Sequence, residues 1–260
     1  IFRGIYHAFG NLHYFGTYSK SIPRNHFQKN TWEEKLMDGF TALFGEPEGI
    51  IISQLIWATQ YTIYLSAIAF LGGGLFGSLI TLFRILPIRL LNTAGYIYIW
   101  LFQSLPLLML LFLLGLGIPK LFGQDIDPWI AASVALILFT SAYLAEVWRG
   151  AITAIPQNQW EAAEALNLNF FQTLRLVILP QAVKFSVAPT IGFLIQIIKG
   201  TSLCYIIGFQ DLMLIGKRWA NSPVPGSEPF IIFPIMALLY FCLCYPLARL
   251  AKHIEKKTII

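Results

Sequence analysis

The chain has 260 residues, of which 57% are hydrophobic and only 12% charged, with 18 Lys+Arg against 13 Asp+Glu. A soluble domain carries about a quarter of its residues as charges, and a mean hydropathy of +0.66 points instead to lipid. The composition excludes a disordered chain, a disulfide-rich secreted domain and almost any soluble globular enzyme.

What remains is an all-α, polytopic membrane protein. At about 20 apolar residues per crossing, the length admits about five or six. The net charge of +5 does not indicate nucleic acid. Its basic residues stand at the ends of apolar runs, where membrane topology places them. Cys204, Cys242 and Cys244 lie in or beside apolar stretches and read as free thiols. The first residue is not Met and no signal-peptide pattern follows, which suggests a fragment or a trimmed chain.

Residues 1–49 read as an extramembrane arm, with an amphipathic piece at Thr31–Phe44. His7, His13 and His26 have no ligand spacing, so no metal site is expected. The first span is placed at Gln60–Phe83, with Ile50–Trp57 leading in along the interface. Gly73 and Gly77 form a GxxxG pattern that lets another helix approach closely. A second run, Leu91–Gly117, contains Gln103, Ser104 and Pro106, and the proline is expected to bend it. The third is Trp129–Trp148, the fourth Val177–Ile198 and the fifth Phe230–Leu250, ahead of a basic tail at 251–260. Arg84, Arg89, Arg149, Arg175 and the tail put the loops after the first and third spans, and the C-terminus, on the cytoplasmic side.

The cytoplasmic loop at 156–170 mixes polar and apolar residues. Pro156 suits a helix start, Asn158 is a candidate cap with Glu161 at capping-box spacing, and Asn167 suits a left-handed stop. Ala162 and Ala163 would let this short helix seat in a partner's groove, with Trp160, Phe170 and Phe171 as anchors. An amphipathic helix lying on the inner leaflet fits the residues equally well.

Glu161-Ala162-Ala163, three residues, Asn167, nine residues, then Val177-Ile178-Leu179-Pro180 resembles the EAA loop of ATP-binding-cassette (ABC) importer permeases. In that family a Gly stands where this chain has Asn167, and an Ile where it has Val177. Ser141-Ala142-Tyr143-Leu144-Ala145-Glu146 is similar to the SAYLAE stretch of the polar amino acid permeases. Phe102 to Leu107 is similar to their FRGTPL, and Lys199 to Leu203 to their KDTSL. Ile206-Ile207-Gly208 and Asp211-Leu212 follow at the family's spacing, so the resemblance covers residues 55–255. Gln103 and Gly200 replace a family Arg and Asp, which reads as a joint neutralisation of two partners.

The resemblance implies a transmembrane domain over residues 50–255 in the bacterial cytoplasmic membrane. It implies partners: ABC ATPase subunits that carry the ATP and Mg, a second permease subunit, and a periplasmic amino-acid-binding protein or domain. This chain itself contains no GxxxxGK[ST] phosphate loop. Trp160, Glu161, Ala162, Ala163, Leu166 and Asn167 would couple to the ATPase. The polar candidates for the substrate path are Gln103, Ser104, Pro106, Thr140, Ser141, Tyr143, Gln196, Lys199, Thr201 and Ser202, with Glu146 and Arg149 as a gate or a structural ion pair. Ordinary interhelical hydrogen bonding is the competing role for the hydroxyls, and snorkelling for Lys199. A permease for opines or polyamines is the nearest alternative, and a stand-alone channel or carrier the next. A membrane-embedded enzyme would need paired acids or a His within the spans, where Glu146 is the one clear acid.

Overall fold

The computed structural model describes residues 31–123 and 125–258, so the three N-terminal histidines lie outside the described residues. Among the described residues all regular structure is helical. Helix α1 spans Thr31–Phe44, the bounds that its amphipathic pattern predicts. It doubles back on α2, Glu48–Ile85, where the missing side chain of Gly49 is required: a Cβ there would sit 2.6 Å from the Thr41 backbone.

The lead-in at 50–57 is not an interfacial piece. It continues α2 as one 38-residue helix, because Ile51, Leu55 and Ala58 are buried against Leu212, Ile215, Ile232 and Met236 of the chain's last two helices. Protein contact, rather than lipid headgroups, covers this turn.

The second run breaks into α3, Arg89–Ser104, and α4, Leu107–Phe122, which meet at 96°. Pro106 causes the break. It has no N–H to donate, and it forces Leu105 into extended backbone at ψ 127°. A π-helical turn at Leu113–Gly117 loosens α4 further. Helix α5, Pro128–Thr153, starts at Asp127, whose carboxylate accepts from Trp129 N at 2.7 Å.

The contacts between α2 and α5 fix the topology. Tyr61 meets Trp129, Gly73 lies on Thr140, Gly77 on Ser141 and Leu144, and the Thr81 hydroxyl donates to Ala145 O. Residue numbers rise together, so the two helices are parallel, and the bent α3–α4 pair must carry the chain back across the membrane. It is therefore one crossing, not a re-entrant loop, and the bundle has five crossings when added to the four long apolar helices.

Helix α6, Gln157–Ala165, caps the inner end. Helix α7, Phe170–Ile207, returns outward, with a π turn at Leu174–Ile178 and a 3₁₀ end at Thr201–Ile207. It runs antiparallel to α5: Trp148 pairs with Thr190, and Tyr143 with Phe193. Short α8, Leu212–Ala220, precedes the last crossing, α9, Pro229–Thr258. One apolar core joins α2, α4, α5 and α7, a second joins α2, α8 and α9, and a third lies beneath α6. Leu71, Leu75, Phe76, Leu238 and Phe241 point outward, as lipid-facing side chains do.

Candidate coupling helix and charged cavity

Helix α6 is entered through extended Pro156 and has no side-chain cap. The expected Asn158 cap is not formed, because the helix begins two residues earlier than that cap implies and places Asn158 inside its first turn. Proline's fixed φ sets that start. The capping box belongs instead to Asn169 and Gln172, each side chain holding the other's backbone at 2.9 Å.

The stop at Asn167 is left-handed, at φ 57°. Leu168 N donates to Ala163 O and Asn167 N to Glu164 O, which together make a Schellman closure. The Asn at the family's glycine position thus keeps the backbone geometry that the glycine supplies.

The faces of α6 differ from the expectation. Ala163 is only 2% exposed, and the core beneath the helix is built from Ile152, Ile155, Leu174 and Ile178. Trp160 and Phe170 pack against the same cluster, so they bolt α6 to its own bundle instead of projecting from it. Gln181 adds a hydrogen bond to Gln159 at 3.2 Å. The outward face carries Glu161, Ala162, Leu166 and Asn167, with Phe171 beside it.

The polar residues singled out in the spans separate into groups. Ser141 is buried and bonded to the Tyr98 hydroxyl at 2.6 Å and to Leu138 O. Thr140 packs its methyl on Gly73, and its buried hydroxyl has no partner. Tyr143 stacks on Phe193 at 5.1 Å. Thr201 and Ser202 donate to carbonyls of the preceding turn, Ile198 and Lys199. Ser104 does the same to Trp100. Gln196 and Lys199 are exposed on α7, and Pro106 marks the bend.

Gln103, Glu146 and Arg149 do come together. They line a cavity of about 270 Å³ with Arg84, Tyr96, Ile99 and Trp100. Arg149 grips Glu146 with two hydrogen bonds, at 2.9 and 2.5 Å. Gln103 reaches the Ala142 carbonyl at 3.4 Å. Arg84 is tied to the Asn92 side chain, lies over the Tyr96 ring at 5.4 Å, and keeps its Nε buried without a partner. The cavity therefore offers two guanidinium groups, one carboxylate, an amide and two aromatic rings. Sequence reasoning missed Arg84, Tyr96 and Trp100. Their signal was the helical spacing of 96, 100 and 103, which puts three of the lining side chains on one face of α3.

Residues 73–260 match the family of binding-protein-dependent transport system inner membrane components. The inner membrane amino-acid ABC transporter permease protein YhdY of Escherichia coli (strain K12) is 33% identical over 75% of this chain, which spans 54% of that protein. The probable amino-acid ABC transporter permease protein YckA of Bacillus subtilis (strain 168) is 32% identical, with 76% of this chain and 85% of that one covered. Among solved structures, an amino acid ABC transporter crystallised with histidines superposes with a TM-score of 0.72 at 28% identity, over 78% of this chain and 94% of its counterpart. The MetNI methionine transporter in inward-facing form matches in fold, with a TM-score of 0.64 at 22% identity over 82% and 98% of the two chains. The all-helical five-crossing bundle, the spaced EAA segment and these likenesses agree: the chain belongs to the binding-protein-dependent transport system inner membrane components, as a permease subunit of the ABC importer class.

Proposed function

We propose that this permease subunit moves polar amino acids inward across the bacterial cytoplasmic membrane, driven by separate ATPase subunits that bind ATP and Mg. A second permease subunit would complete the pathway, and a periplasmic binding protein or domain would deliver the cargo. The observation that carries the reading is the build of α6: a short helix fastened to α5 and α7 through Trp160, with Ala163 buried and Glu161, Ala162, Leu166 and Asn167 left facing outward. A helix fixed on one face and bare on the other suits helix-in-groove docking. Because both crossings grow from its two ends, a displacement of α6 moves α5 and α7 together.

The charged cavity supports the cargo class. An amino acid presents a carboxylate and an ammonium, and Arg84, Arg149 and Glu146 complement both. Gln103 and the ring faces of Tyr96 and Trp100 add a polar and an apolar wall for a side chain. A polyamine has no carboxylate to satisfy the guanidinium groups, so that alternative is not favoured. A stand-alone carrier gives α6 no task.

The test is reconstitution of the full chain with its ATPase and binding protein in proteoliposomes. Uptake of labelled polar amino acids is expected to require ATP and all components. Glu161→Lys is expected to weaken ATPase retention about tenfold or more with membrane insertion unchanged. ATP-independent uptake, or wild-type ATPase retention by E161K, would overturn the reading.

A further inference from the structure

At the opposite end of the bundle, Asp211 is fully buried between the 3₁₀ end of α7 and the start of α8. Its Oδ1 accepts from Leu214 N at 2.9 Å and so caps α8. Its Oδ2 is buried with no partner. Across the same junction, the Tyr240 hydroxyl of α9 is also buried without a well-formed hydrogen bond, although it lies beside the hydroxyls of Thr62 and Thr201 and within electrostatic reach of Asp211. Thr62 of α2 in turn accepts from Leu212 N at 3.3 Å. Four elements therefore meet at one carboxyl: α2, the end of α7, α8 and α9.

An ionised carboxylate left dry and half-paired is costly, while a protonated one is both donor and acceptor. In the protonated form Oδ1 keeps the cap, and Oδ2 becomes part of a neutral carboxyl that its dry surroundings tolerate. The groups facing Asp211 from the neighbouring elements are the Cys204 thiol, the Tyr240 phenol and the two threonine hydroxyls. Asp211 forms no ion pair among the described residues, and the nearby Lys217 lies over the Tyr205 ring at 4.3 Å. Burial accordingly pushes the Asp211 carboxyl up to about 7, against an ordinary 3.8. The backbone amides of Leu214 and Met213 oppose this with a smaller effect.

We propose that Asp211 is a proton-binding latch that holds α8 against α2 and α9 at the outer end of the permease, and that it answers to the pH of the external medium. The sign follows from the raised affinity. The closed arrangement binds the proton more tightly than an opened, watered one. Closure is therefore favoured in acid and is lost as pH rises through neutrality. The outer placement rests on the basic residues at the other ends of α2 and α5, Arg84 and Arg149.

The test uses the assembled transporter in nanodiscs and does not depend on the cargo. Amide exchange across residues 212–220, corrected for intrinsic rate, is compared at about pH 6 and about pH 8. Wild-type protection is expected to fall about tenfold at the higher pH. In Asp211→Asn, which keeps the cap acceptor and a permanent donor, protection is expected to stay constant. Should D211N lose the fold, infrared spectra of wild type with isotope-labelled aspartate report the same event, as a protonated carboxyl band that disappears near neutral pH. Unchanged wild-type protection, an equal fall in D211N, or a labelled band absent at pH 6 would each overturn the proposal.

Discussion

The two ends of the bundle handle buried polarity in opposite ways. At the inner end, Glu146 and Arg149 keep a two-point ion pair in a cavity that water reaches, with side chains 39% and 27% exposed. At the outer end, Asp211 is fully buried and has a helix amide on one oxygen and nothing on the other. Pairing preserves charge where solvent remains, whereas enclosure without a counter-ion favours the neutral acid. The sequence already sets Arg149 one turn from Glu146, but nothing in it reveals the enclosure of Asp211.

The largest effect should come from the α2–α5 seam that both ends share. A Cβ at Gly73 would lie 2.4 Å from Thr140, so Gly73→Val should cost about 3 kcal/mol and abolish accumulation in the membrane. Normal expression and melting of G73V would break the parallel pairing on which both ends depend.

A smaller effect belongs to the inner end. Glu146→Gln leaves Arg149 beside Arg84 without its carboxylate. Since the pair is partly solvated, the loss should be roughly 1 kcal/mol, read as a three- to tenfold fall in uptake. The added change Arg149→Met should deepen it, because Arg149 is one of the guanidinium groups that line the cavity. Recovery would mark the pair as structural, and a further loss would mark Arg149 as a group that meets cargo.

The smallest effect concerns backbone shape. Asn167→Gly should leave the melting temperature nearly unchanged, within about 0.5 kcal/mol, because φ 57° suits both residues, while Asn167→Val should cost about 1–2 kcal/mol. Equal melting of the two variants would refute the left-handed closure of α6.

Much of this architecture was legible in the residues. Apolar length gave the crossings, Pro106 gave the bend, and Asn167 gave the left-handed stop, because each is a local property of the chain. What stayed hidden depends on how helices are rotated against one another. Ala163 and Trp160 looked like docking residues, but Ala163 is buried and the third core claims Trp160. Ile50–Trp57 looked interfacial until α8 and α9 supplied its cover. Arg84 read as a topology charge, and only the fold brings it to the same cavity as Glu146. Asp211 entered as a matter of spacing, and its burial follows from four elements that no local pattern joins.

The break at Pro106 has one more outcome. A continuous helix hides its carbonyl oxygens in its own ladder, but α3 stops at Ser104 and α4 restarts at a right angle, so the last carbonyls before the break have no amide above them. They lie in the same turn as Gln103, so the bend leaves acceptors that an unbroken helix would hold in its own ladder.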